Sequence, residues 1–109
     1  MTHYLLLFRD GMPIENNATE ERLREWDQWI GSIARTGKFI SGLPFGPSAK
    51  MITGPEKTVS DFHLQSGEVA GYIIIRASTM DEIVEIAKSA PNLKYGGSVE
   101  IRSTIPPAQ

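Results

Sequence analysis

Two stretches of the chain are apolar at almost every position. In Val69-Ala70-Gly71-Tyr72-Ile73-Ile74-Ile75-Arg76, strand geometry puts Val69, Gly71, Ile73 and Ile75 on one face. Ala70, Tyr72, Ile74 and Arg76 take the other. In His3-Tyr4-Leu5-Leu6-Leu7-Phe8-Arg9, Leu5 and Leu7 point one way and Tyr4, Leu6 and Phe8 the other. A strand with one wet face alternates apolar and polar, and these two do not. Both are therefore expected at the centre of a sheet, covered on both faces. Ser98 to Ser103 does alternate, which predicts a more exposed strand.

The intervening segments switch to a helical period. Leu23, Trp26, Trp29, Ile30, Ile33 and Ala34 fall on one arc, with Arg24, Asp27, Gln28, Gly31 and Arg35 opposite. Asn17 or Thr19 is placed to cap this helix, Glu20 and Glu21 suit its first turn, and Gly37 suits its C′ position. Lys38 to Phe45 reads as a second strand, with Pro44 suited to a strand end or an edge. Gly46 to Ser66 is richer in Gly, Pro, Ser and Thr. Extended runs at Ala49 to Thr53 and Lys57 to Phe62, around Gly54-Pro55, predict an inserted hairpin. A second helix starts at Ser78-Thr79, where Thr79-x-x-Glu82 and Ser78-x-x-Asp81 resemble capping boxes. Its stripe is Met80, Ile83, Val84, Ala87 and Ala90, and Pro91 is expected to stop it.

The order β-α-β-(hairpin)-β-α-β is that of the ferredoxin-like split βαβ arrangement. It predicts one α+β domain over residues 1–109, with an antiparallel sheet. Both helices of such a fold cover one face, and the other face would expose apolar side chains. A contiguous patch of that kind is unusual on a monomer. A second copy packing sheet on sheet is the expected remedy, giving a homodimer of the dimeric α+β barrel type. The competing remedy is that Gly46 to Ser66 folds over the face.

Composition narrows the partners. The chain has 109 residues, 40% hydrophobic and 22% charged, enough for one folded core. A net charge of −2 without a basic cluster argues against nucleic acid. The absence of cysteine excludes disulfides and thiolate chemistry. No apolar run approaches the ~20 residues of a membrane span, and no secretory leader is evident, so the cytoplasm is expected. Phosphate loops, nucleophile elbows and dinucleotide fingerprints are absent, and no cofactor is expected.

Candidate chemistry centres on Asp61 and His63, which share a face if the segment is extended. A carboxylate beside an imidazole can orient it for acid-base work; a solvated pair in a loop accounts for the same residues. Glu68 opens the central strand near that pair, as a polar contact or as a surface carboxylate. Tyr72 can present its hydroxyl to a cleft or pack in a dimer interface. Of the two tryptophans, Trp29 lies at the edge of its arc and is better placed to line a pocket, although core packing serves both. Arg9-Asp10 closes strand one, where a cleft can open, or where an ion pair and a turn suffice. His3 and His63 show no spaced metal motif, so no metal site is expected. Glu100 and Arg102 share a face of the last strand as a surface pair.

Four segments resemble the YCII-related family, in its DGPF subgroup. They are Gly37-Lys38-Phe39-Ile40-Ser41-Gly42-Leu43, Glu68 through Ile75, Ser78 through Ala87, and Ser98-Val99-Glu100-Ile101-Arg102. They occur in the family's order through most of the chain. The resemblance implies a ferredoxin-like, dimeric α+β barrel. It also implies small-molecule binding or enzymatic activity, attributed in some members to an Asp and a His in a cleft. Where the subgroup has Asp-Gly-Pro-Phe, this chain has Asp61-Phe62-His63-Leu64, keeping the Asp and losing the Gly-Pro turn.

Three functions follow as expectations. The first is a homodimer that binds a small polar molecule, with His63 as acid or base, Asp61 as its partner, and Glu68, Tyr72, Trp29 and Arg9 as ligand contacts. The second is a non-catalytic dimerisation or regulatory module. The third is a haem or metal enzyme of the same barrel type.

Overall fold

The two apolar strands pair with each other at the centre of a four-stranded antiparallel sheet. The computed structural model describes residues 2–13, 19–63 and 65–106. Strand β1 is Thr2–Arg9, helix α1 Glu20–Arg35, β2 Phe39–Pro44, β3 Lys50–Thr53, β4 Thr58–Asp61, β5 Val69–Ala77, α2 Met80–Ala87 and β6 Ser98–Ser103. A 3₁₀ turn, Pro91–Tyr95, precedes β6. The sheet order is β2-β5-β1-β6, the ferredoxin-like α+β arrangement. In register, Leu5 faces Ile74 and Arg102, and Leu7 faces Tyr72 and Glu100.

Strand alternation sorts the side chains as expected. Tyr4, Leu6 and Phe8 of β1 and Ile73, Ile75 and Ala77 of β5 are buried beneath the helices. They meet Trp29 and Ile33 of α1 and Ile83 and Ala87 of α2 in one core. Phe8, Trp26 and Trp29 form a three-ring edge-to-face cluster, with centroids 5.1 to 5.9 Å apart. That geometry suits the aromatic quadrupole and fixes α1 over β1.

The helix ends are set locally. Thr19 caps α1, its hydroxyl accepting from the N–H of Arg22 at 3.1 Å; Asn17 lies outside the described residues. Gly37 follows with φ +75°, the left-handed C′ conformation. Thr79 caps α2 by accepting from the N–H of Glu82, and the Glu82 carboxylate accepts from the N–H of Ser78. Of the two candidate caps Thr79 is the one used, and Glu82 reaches back one residue beyond it, to Ser78.

Some expectations are corrected. Leu23, placed on the buried arc of α1, is 47% exposed. Arg22 turns inward instead: its Nη2 donates to the carbonyl of Gly11 at 2.6 Å, and its guanidinium lies 4.0 Å from the Tyr95 ring centroid. Ala34 and Met80 are exposed as well. Helix α2 ends at Ala87, and Pro91 opens the 3₁₀ turn rather than closing the helix. Its missing N–H costs nothing at a first helical position.

Among the described residues, nothing covers the far face of the sheet. Leu5, Leu7, Tyr72 and Ile74 are only half-buried there, and Leu43 is 65% exposed. The hairpin β3–β4 does not fold over them. It forms its own two-stranded sheet, and every residue of both strands is exposed. No helix among the described residues is long and apolar enough to cross a membrane.

Candidate functional site

Strand register assembles polar groups at one end of the uncovered face. Arg9 ends β1, opposite Val69 at the start of β5 and Ser98 at the start of β6. It shares the open face with Leu7, Tyr72 and Glu100. Arg9 Nη1 donates to Glu100 Oε1 at 2.6 Å, and Arg102 Nε donates to Glu100 Oε2 at 2.5 Å. The Arg102 guanidinium, and Arg9 after it, hold the Glu100 carboxyl below the usual carboxylate range. Arg9 of β1 and Arg102 of β6 therefore place two guanidinium groups around one ionised carboxylate.

Beside this edge the face turns apolar. Tyr72 stands opposite Leu7 and Leu43, and its ring centroid lies 6.2 Å from that of Phe45. Glu68 lies one residue before β5 and is exposed at the same end.

The turn after β1 ties the incoming segment to this end. Asp10, with φ +59°, accepts at Oδ1 from the N–H of Gly67 at 3.1 Å and from the Ser66 hydroxyl at 3.3 Å. Asn92 secures the turn from below. It is fully buried, and its Nδ2 donates to the carbonyls of Asp10 at 3.2 Å and Ser98 at 3.0 Å.

The sequence candidates divide into three groups. Arg9, Glu68 and Tyr72 gather at this end of the sheet. Asp61 lies at the end of β4, where its carboxylate pairs with Lys50 across the hairpin. His63 is exposed two residues on, and Leu64 lies outside the described residues. Trp29 lies on the helix side of the sheet, opposite the face that carries Arg9 and Tyr72. It is buried in the helix layer, where it lines a cleft of about 160 Å³ with Ser32, Ile33, Thr36, Lys38, Ile86 and Ser89. One compact site therefore cannot contain both Trp29 and Arg9.

Sequence reasoning missed Asn92, the partnership of Glu100 with Arg9, and the hydroxyls around Trp29. The glycines of Asp10-Gly11 and Gly96-Gly97 signal the first of these. A Cβ at Gly97 would lie 2.2 Å from the Asp10 carbonyl oxygen and 2.6 Å from Asn92 Nδ2. Among the described residues, no three His, Asp or Glu side chains gather in a group able to hold a metal.

No family model matches the chain, and no curated protein matches it. A solved structure with a similar course is 5-chloro-2-hydroxyhydroquinone dehydrochlorinase (TftG) from Burkholderia phenoliruptrix AC1100, in complex with 2,5-dihydroxybenzoquinone. It shares 16% identity, each chain is covered over 90% of its length, and the TM-score is 0.48.

Proposed function

We propose that the protein is a homodimer, joined through the open faces of two sheets, that takes a small polar molecule at the Arg9 end of that face. The observation that carries this reading is the uncovered apolar strip of Leu5, Leu7, Leu43, Tyr72 and Ile74. Single exposed apolar residues are ordinary, but a contiguous strip across three strands is the mark of an interface. The ordered motifs that resemble the YCII-related family support the same assembly.

In this reading Arg9 and Tyr72 orient the molecule and Glu68 contacts its polar edge. His63 is the acid-base group, since imidazole changes charge near neutral pH. Asp61 is the carboxylate that orients it, and it must then exchange Lys50 for His63. A ligand-observed NMR screen against small polar acids, alcohols and amines tests the site, using the wild-type chain and an Asp61→Asn/His63→Gln double variant. A hit that the variant loses at unchanged thermal stability supports the reading; equal binding by both chains removes these two residues from the site.

The pairing of Asp61 with Lys50 favours a second reading, a dimerisation module without a small-molecule site. It predicts no hit in the same screen.

A further inference from the structure

Among the described residues, the hairpin β3–β4 pairs only with itself. It leaves the sheet after β2 and returns at the start of β5, the end where Arg9 lies. Residues opposite each other on paired strands share a face, as do residues two apart. Ile52 stands opposite Val59 and Lys50 opposite Asp61, so one face carries an apolar pair beside an ion pair. The other face carries Met51 opposite Ser60 and Thr53 opposite Thr58. Ile52 is 66% exposed and Val59 61%. A lone two-stranded hairpin is marginal in water and needs further strands or a surface to pack on.

We propose, resting on the homodimer reading above, that the hairpin is an arm that clasps a second copy of this chain. Its Ile52–Val59 face packs on the margin of the partner's open sheet face. Three observations select this occupant. The arm is continuous with the open face: it follows in the chain from Leu43 and Phe45, which are exposed there, and the Phe45 ring lies beside Tyr72. A stable dimer buries about 800 Å² and roughly 20 to 30 residues on each side. That is more than the strip of Leu5, Leu7, Leu43, Tyr72 and Ile74 supplies, so further surface must join it. Finally, the arm and the strip are two apolar surfaces of one chain that do not cover each other. Under two-fold symmetry each copy gives one and receives the other, so both are covered and the assembly closes at two.

The test reads the methyl groups of the full chain by NMR with a soluble gadolinium chelate, which broadens exposed methyls and spares buried ones. In the wild-type dimer the Ile52 and Val59 methyls should be shielded like those of buried Ile73, while Met51, on the outer face of the arm, is broadened. In Leu43→Glu, which breaks the sheet contact, Ile52 and Val59 should become accessible. Ile52→Asp/Val59→Asp should weaken the dimer by at least about tenfold in sedimentation equilibrium. Thr53→Asp/Thr58→Asp, on the outer face, should not weaken it. A dimer whose Ile52 and Val59 methyls stay accessible would overturn the arm and leave the sheet-to-sheet reading standing. Shielding that persists in Leu43→Glu would place the arm on its own chain and overturn the proposal. A monomeric wild-type chain would remove the dimer reading and the arm with it. The methyl comparison uses no change in the hairpin, so it decides the matter even if the aspartate variants fold poorly.

Discussion

Asn92 Nδ2 lies 3.2 Å from the carbonyl oxygen of Asp10, and so joins the 3₁₀ turn before β6 to the turn after β1. The same amide reaches the Ser98 carbonyl at 3.0 Å. Asp10 passes the restraint on, because its carboxylate holds the N–H of Gly67 just before β5. The turn after β1 and the start of β6 therefore meet at one fully buried side chain, and Asp10 links them to the segment before β5, at the end of the sheet where Arg9 and Glu68 lie.

Asn92→Ala should lower stability by about 1–3 kcal/mol, the cost of removing a buried donor that bonds the Asp10 and Ser98 carbonyls. Asn92→Asp should be worse at neutral pH, since a carboxylate would face those oxygens with no proton to give. Chemical denaturation of the three proteins gives the order.

The neighbouring glycines should respond very differently. Gly97→Ala places a methyl group against the Asp10 carbonyl and Asn92 and should be severely destabilising. Gly96→Ala has open space around its Cβ and only the strain of φ +85°, worth about 1 kcal/mol. Thermal melts of both variants check the contrast.

Acid should loosen three polar contacts. The carboxyls of Glu25, Glu82 and Glu100 are held below their ordinary value of 4.5, chiefly by Tyr95, Lys38 and Arg102 respectively. A lowered folded-state pKa gives stability that is complete above the unfolded value and lost as pH falls through the folded one. Melting temperature should therefore decline below pH 4.5, and Glu100→Gln should flatten part of that decline. The Tyr95 hydroxyl is raised by its bond to Glu25. Its contribution is complete below 10.0 and is lost as pH rises through the raised value.

Leu43→Glu separates folding from assembly. Leu43 is 65% exposed within the chain, so the substitution should change the stability of an isolated subunit by no more than about 0.5 kcal/mol. In a sheet-to-sheet dimer it buries a charge and should shift the protein to monomer. Sedimentation velocity combined with circular dichroism reads both effects.

The sheet was legible because β1 and β5 are apolar at almost every position, which marks them as its central pair, and because Thr79 and Glu82 cap α2 with local chemistry. The hairpin followed from turn residues at Gly54-Pro55. The site was less legible, because it depends on register. Only the pairing of β1 with β6 brings Arg9 to Glu100, 91 residues away. The proximity of Asp61 and His63 in sequence says nothing about Lys50, which reaches Asp61 across the hairpin. Likewise, α1 periodicity placed Trp29 inward, but the Ser89 hydroxyl beside its cleft comes from the end of another helix.

The central claim is that the open face is an interface between two copies. Native mass spectrometry of the freshly purified chain at micromolar concentration tests it most directly. The account predicts a species of twice the 12.1 kDa chain mass that reverts to single chains in Leu43→Glu. A wild-type protein that stays at the mass of one chain would contradict it.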